Sequence, residues 1–187
     1  MSDRSTKKKK FQIKDVEKID QKAKTQVIDD IAWAEEQDHP DTSTALSHIY
    51  SNENASKETK FIPVSENIVM VDAINHALHE EMQKNEKMVI YGQDIADPKG
   101  GVFTATKGLS DSFGKERVFN SPLAESSIVG TAVGMAITGY KPVVEIQFGD
   151  YIWTAMMQIR NEVSVMRYRS NNAWSCPMVI RVPVGGY

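Results

Sequence analysis

A chain of 187 residues, 41% of them hydrophobic, is large enough for one full-sized domain with an appendage and too small for two large domains. Its 22 Lys and Arg are outnumbered by 25 Asp and Glu, and the resulting charge of -3 argues against an electrostatic nucleic-acid binder. The lone Cys176 excludes an internal disulfide and a cysteine-cluster zinc site, and no membrane-length apolar run or signal-peptide core is present, so the expected location is cytoplasmic.

Met1 to Lys10 is polar, contains the basic block Lys7 to Lys10, and is expected to trail as a solvated tail. From Asp15 to Gln37, Val16, Ile19, Ala23, Val27, Ile31 and Ala34 recur at steps of three and four, which predicts an amphipathic helix with one apolar stripe. Pro40 ends it by forcing the residue before it out of the α region. Asp41 to Tyr50 allows a short helical turn, and Ser51 to Lys60 is too poor in apolar residues to be more than a polar linker. Residues 1–60 are therefore expected to form a tail, and residues 61–187 a domain.

The composition then changes. Val69 to Met82 carries Ile74, Ala77, Leu78 and Met82 on one helical face, and Met88 to Tyr91 follows as a short buried strand. Asp94 to Gly101, with its Asp-Pro and Gly-Gly pairs, is a loop within reach of a ligand. A short helix over Leu109 to Phe113, a strand over Arg117 to Asn120 and a helix over Ala124 to Ile137 come next, the last closed by Gly139. Gly130 and Gly134, four apart on that helix, are expected to let it pack closely on a sheet. Lys141 to Phe148 is β-branched and alternating, Tyr151 to Arg169 is expected to be one long helix, and Met178 to Val182 a strand. Alternating strands and helices predict an α/β fold: a parallel sheet with helices on both faces, preceded by a helical segment.

Chemistry in such sheets gathers at the carboxyl ends of the strands. Glu125 falls there after Phe119-Asn120-Ser121-Pro122-Leu123-Ala124, and Gln147 and Tyr151 fall there after Ile146. On local sequence alone Glu125 is equally a first-turn carboxylate facing the helix dipole, and Tyr151, Leu123 and Gln147 are equally packing or strand-end residues. His76 and His79, three apart on a helix, suit a solvated face better than a metal pair.

Gly100-Gly101-Val102-Phe103, Arg117 to Glu125, Ile128-Val129-Gly130, Glu145 to Ile152 and Arg167-Tyr168-Arg169-Ser170 together resemble the β subunit of the branched-chain 2-oxoacid dehydrogenase decarboxylating component, over about Asn67 to Tyr187. The segment Asp15 to Ser51, with Pro40, Asp41 and Leu46 to Ser51, looks like the C-terminal tail of the partner α subunit. The resemblance thus implies a piece of a fused α-β chain, truncated on the C-terminal side of its pyrimidine-binding domain. Its implied cofactor is thiamin diphosphate, with magnesium ligands in the α half and a structural potassium ion near the Met178 backbone carbonyl.

In the family's terms Glu125 is the catalytic carboxylate at pyrimidine N1′, Tyr151 the aromatic contact with the ring, and Leu123 and Gln147 line the same pocket. Burial is expected to raise the Glu125 pKa against the opposing pull of the helix N-terminus. The implied reaction is oxidative decarboxylation of a branched-chain 2-oxo acid with transfer of the acyl group to a lipoyl arm. The implied partners are an α-type half, the remaining β region and a lipoylated acyltransferase, in a homo-oligomer equivalent to two α and two β halves. A pyruvate dehydrogenase β-type subunit and a non-catalytic assembly module are the competing readings. Gly185-Gly186-Tyr187 matches the start of a glycine-rich loop that in the family leads to an acyl-transfer histidine; His39, His48, His76 and His79 do not match that histidine. The chain is therefore expected to carry half an active site and to be inactive alone.

Overall fold

The computed structural model describes residues 13–51 and 67–185, and the chain divides into two units, Met1–Ala45 and Leu46–Tyr187. The expected N-terminal tail, and all of the expected linker except Ser51, lie outside the described residues. In the first unit, helix α1 spans Ile13–Glu35 and buries none of its residues. Its stripe is open, with Val16, Ile19, Val27 and Ile31 each more than half exposed. The short turn expected after Pro40 is a 3-10 turn at Thr42–Thr44, capped by the Asp41 carboxylate, which accepts the Ser43 N–H at 2.8 Å.

The second unit is built on four parallel strands, β1 (Met88–Gly92), β2 (Val118–Asn120), β3 (Lys141–Glu145) and β4 (Val179–Arg181), in the order β2-β1-β3-β4. Successive side chains of β1 go to opposite faces, because a strand has a period of two. Met88, Ile90 and Val143 pack on one face with Met82 and Leu78 of α2 (Met70–Lys84) and with Leu109 and Phe113 of α3 (Leu109–Phe113). Val89, Tyr91 and Val144 pack on the other with Ile128 and Ala132 of α4 (Glu125–Ile137). Helices thus cover both faces, as expected. β1 is buried at every position, which is why Met88-Val89-Ile90-Tyr91 is an uninterrupted apolar run.

Arg117, just before β2, holds the α2–β1 junction. Its guanidinium donates to the carbonyls of Met82 at 3.0 Å, Asn85 at 2.7 Å and Met88 at 3.1 Å, and it lies over the Phe113 ring. It satisfies helix-end carbonyls that have no partner in their own helix. Gly139 takes a φ of 94° and closes α4, with the Tyr140 N–H reaching back to the Met135 carbonyl at 3.0 Å.

Three expectations need correction. The strand expected to reach Phe148 stops at Glu145, since the backbone turns at Gln147 to start a helical segment. That segment, expected as one helix from Tyr151 to Arg169, is broken into a 3-10 stretch (Gly149–Ala155), one α turn (Met156–Gln158), a π turn (Ile159–Val163) and a last α turn (Met166–Arg169). The apolar period continues through it, but hydroxyls compete for its carbonyls: Ser164 Oγ donates to the Arg160 carbonyl at 2.6 Å, and Thr154 Oγ1 donates to the Tyr151 carbonyl at 2.8 Å. Finally, a Cβ on Gly134 would meet nothing within 4 Å, and one on Gly130 would make an ordinary 3.5 Å contact with Gln158. Neither glycine is required for packing on the sheet.

Candidate functional site

β1 and β2 end side by side, and the Ser121 N–H donates to the Gly92 carbonyl at 2.8 Å. The Pro122 turn then delivers Glu125 as the first residue of α4, at the carboxyl edge of the sheet. Gln93 follows β1 and is buried to 2% exposure. Its Nε2 donates to Glu125 Oε1 at 2.7 Å. On the other side the Thr154 hydroxyl lies 2.9 Å from Glu125 Oε2 and 2.8 Å from the Tyr151 carbonyl, so its one proton serves two acceptors. The Ser126 hydroxyl also hydrogen-bonds the Thr154 carbonyl. The tight 3-10 winding of Gly149–Ala155 is what brings Thr154 back onto the first turn of α4.

This geometry corrects the expected protonation. The hydrogen bond from Gln93, the backbone N–H of Glu125 itself and Thr154 hold the Glu125 carboxyl below the usual carboxylate range, and the burial that pushes it up is the weaker influence. Glu125 is only half-buried, so donors outweigh desolvation and the group is an ionised acceptor at neutral pH.

Tyr151 is half-exposed and meets the Phe148 ring edge-on at 5.8 Å. Leu123, two residues before the carboxylate, is 82% exposed. Gln147 reaches the same edge from β3; its Nε2 lies 3.4 Å from Asp94 Oδ2, which also pairs with Lys99 at 3.0 Å. Asp94 follows Gln93 directly, so Glu125, Tyr151 and Gln147 are joined through two residues of one loop and Thr154. Hollows open along this edge, two of them beside Phe148. One, of about 270 Å³, lies among Phe103, Phe148, Gly149, Asp150, Pro183, Val184 and Gly185; the other, of about 330 Å³, lies among Asp94, Lys99, Gly101, Val102, Phe103, Gln147 and Phe148.

Met178 stands apart. It precedes β4 and so lies at the amino edge of the sheet, with its side chain packed into the core. Among the described residues, no three His, Cys, Asp or Glu are grouped to hold a metal ion, and no helix is long and apolar enough to cross a membrane. His76 is exposed as expected, whereas His79 packs against the Phe113 ring at 5.0 Å. Gln93 and Thr154 were not legible as site residues from local sequence. Gln93 carried one usable signal, its place immediately after a strand of the parallel sheet, whereas Thr154 acquires its role from the 3-10 winding.

Residues 66–187 match the family described as the transketolase pyrimidine-binding domain. The chain belongs to that family. The matched residues contain all four strands and Glu125. The 2-oxoisovalerate dehydrogenase subunit beta of Bacillus subtilis (strain 168) is 51% identical over 116 residues, covering 62% of this chain and 35% of that protein. The pyruvate dehydrogenase E1 component subunit beta is 43% identical over 119 residues in Bacillus subtilis (strain 168) and 46% identical over 119 residues in Acholeplasma laidlawii, each alignment covering 64% of this chain and 36% of the relative. The chain therefore spans about a third of the length of these relatives.

Proposed function

We propose that this chain forms part of a thiamin-diphosphate-dependent 2-oxoacid dehydrogenase, in the position of its β-type subunit, and that its carboxyl edge holds the aminopyrimidine ring of the cofactor. The observation that carries the proposal is Glu125, an ionised carboxylate fixed by Gln93 and by Thr154, whose hydroxyl also reaches the carbonyl of the half-exposed Tyr151. These residues fit the group: Glu125 keeps free lone pairs for a ring N–H, and the exposed Tyr151 and Leu123 offer apolar area to a flat heterocycle. Thiamin diphosphate supplies the carbon nucleophile and the electron sink for decarboxylation. Glu125 accepts and returns the ring-nitrogen proton, Tyr151 and Leu123 exclude water from the ring, and Gln147 is placed to orient its polar substituent. Met178 would contribute a backbone oxygen to a potassium ion away from this edge, and magnesium would bind in the α-type half.

The substrate is a branched-chain 2-oxo acid in this reading, favoured by the 51% identity to the 2-oxoisovalerate enzyme; the 43–46% identity to pyruvate dehydrogenase subunits supports pyruvate as the second reading. The open stripe of α1 suits a segment that belongs to an α-type half, and with it the proposals of a fused α-β chain, residues 1–60 as its α tail, a homo-oligomer equivalent to two α and two β halves and an acyltransferase partner; the single cysteine suits a reducing, cytoplasmic location. The deciding experiment compares kcat/KM of the full chain, assembled with its α-type half, for 3-methyl-2-oxobutanoate and pyruvate. Preference for the branched acid supports the first reading and preference for pyruvate the second. An assembly that binds no thiamin diphosphate overturns both and leaves a non-catalytic assembly module.

A further inference from the structure

The carboxyl edge contains a second carboxylate that the proposed chemistry does not use. Glu145, the last residue of β3, is 2% exposed. Its register partner on the neighbouring parallel strand is Arg181 of β4, and the two form a buried ion pair. Glu145 lies two residues on from Val143 and so on the same face of the sheet, the face covered by the loop that links β1 to α3. There its Oε1 accepts the Val102 N–H at 3.0 Å, while Arg181 Nη2 reaches the Val102 carbonyl at 3.5 Å. The Val102 N–H is thus held by one end of the ion pair, and its carbonyl is shared between the other end and the Ala105 N–H at 3.3 Å.

The loop so held is conformationally costly. Gly100 and Gly101 have φ of 73° and 72°, and the two residues after Val102, Phe103 and Thr104, sit at 57° and 61°, where side-chain-bearing residues are uncommon. Such conformations persist when the surroundings over-determine them. The space is equally constrained: a Cβ on Gly101 would lie 2.7 Å from Thr106 Oγ1 and 3.3 Å from Glu145 Oε1, and one on Gly92, the register partner of Glu145 on β1, would lie 2.4 Å from the Glu145 carbonyl. The loop closes back on itself through the Gly101 N–H, which donates to the Asp94 carbonyl at 2.8 Å. Asp94 is itself left-handed, at φ 58°, and its carboxylate is the partner of Gln147.

We propose that Glu145 and Arg181 are positioning residues: their ion pair clamps Val102, fixes the 94–104 loop, and through Asp94 sets where Gln147 stands at the cofactor edge. An ion pair serving only to join β3 and β4 has no need of Val102. The clamp is a claim about this chain's own backbone, whereas its effect on Gln147 rests on the cofactor reading above.

The test uses the full chain with its assembly partners. In the wild type, hydrogen exchange at the Val102 amide should be as slow as in the core of β3, and exchange at the rate of an open loop would overturn the clamp with no variant needed. The paired variant Glu145→Leu with Arg181→Met removes both charges together and avoids stranding one of them in the interior. It should melt within about 3 °C of wild type, while exchange over 101–104 quickens about tenfold or more. Its apparent Kd for thiamin diphosphate should rise by about tenfold, with kcat restored at saturating cofactor, a split that general destabilisation does not produce. Unchanged exchange in the folded variant overturns the clamp, and quickened exchange with unchanged Kd overturns the link to Gln147. If wild type binds no thiamin diphosphate, the cofactor reading and the link both fail, and the exchange result still decides the clamp.

Discussion

α1 and α4 are both patterned with apolar residues, yet they stand at opposite ends of what a pattern can mean. α1 alternates charge and hydrophobicity with a clear helical period over 23 residues and buries none of them. α4 is apolar nearly all round over 13 residues and buries Ile128, Val129, Ala132, Val133 and Ala136. Ile128 and Ala132 face the sheet and Val129 faces the broken helical segment, so α4 is wedged between two layers. A clean stripe identifies which side of a helix is adhesive; α4 packs with two adjoining sides against its own fold and leaves a third, with Ser126, Ser127, Thr131 and Gly134, exposed. The site is built on the packed helix, because a positioned carboxylate needs a rigid base.

The strongest test of this contrast is to damage the enclosed side. Ile128→Ala should cost about 3 kcal/mol, the usual range for deleting buried methylenes without collapse of the cavity, measured by denaturant unfolding of the second unit. Arg117→Met should cost about 2 kcal/mol in the same measurement, since the carbonyls of Met82, Asn85 and Met88 lose the guanidinium together and the Asn85 carbonyl keeps only the Met88 N–H. The Asp97 carboxyl sharpens the comparison through pH. Burial pushes it up, but donors outweigh burial: the Ser110 hydroxyl and the backbone N–H groups of Gly108, Asp111 and Ser110 hold it below its ordinary value. A depressed folded-state pKa means that the stabilisation is complete above the unfolded value and is lost as pH falls through the folded one. Melting temperature should therefore decline on the acid side below about pH 4, and Asp97→Asn should flatten that decline. At the small end, Ile31→Lys on the open helix should change stability by less than about 0.5 kcal/mol, while weakening association with an α-type half in a pull-down or by ultracentrifugation.

Much of the sheet was legible because its central strands are buried on both faces and its strands read as short apolar runs: Met88 to Tyr91 and Arg117 to Asn120 lie within a residue of the observed strands. Leu109–Phe113 was placed to the residue, bracketed by the glycines at 108 and 114. The break after Tyr151 was not legible, since the apolar period runs on unchanged; the Ser164 and Thr154 hydroxyls bond carbonyls of their own segment, and the further Thr154 contact with Glu125 is one that only the fold supplies. Topology alone puts Glu125, Gln147 and Tyr151 after the carboxyl ends of their strands, which is where the chain has them, and Leu123 is named by the family resemblance. The direction of the Glu125 pKa was missed, because it depends on Gln93 arriving from β1, 32 residues away in sequence. Local sequence shows which groups are present at an edge; which donors reach them is a tertiary fact.

The central claim is that Glu125 relays a proton to and from a cofactor ring, and it is tested most directly by circular dichroism of the assembled full chain titrated with thiamin diphosphate, with Glu125→Gln beside wild type. The account predicts an iminopyrimidine band in the wild type that is absent in Glu125→Gln, together with a fall in kcat of about 10²–10⁴-fold. An equal band in both proteins would contradict it.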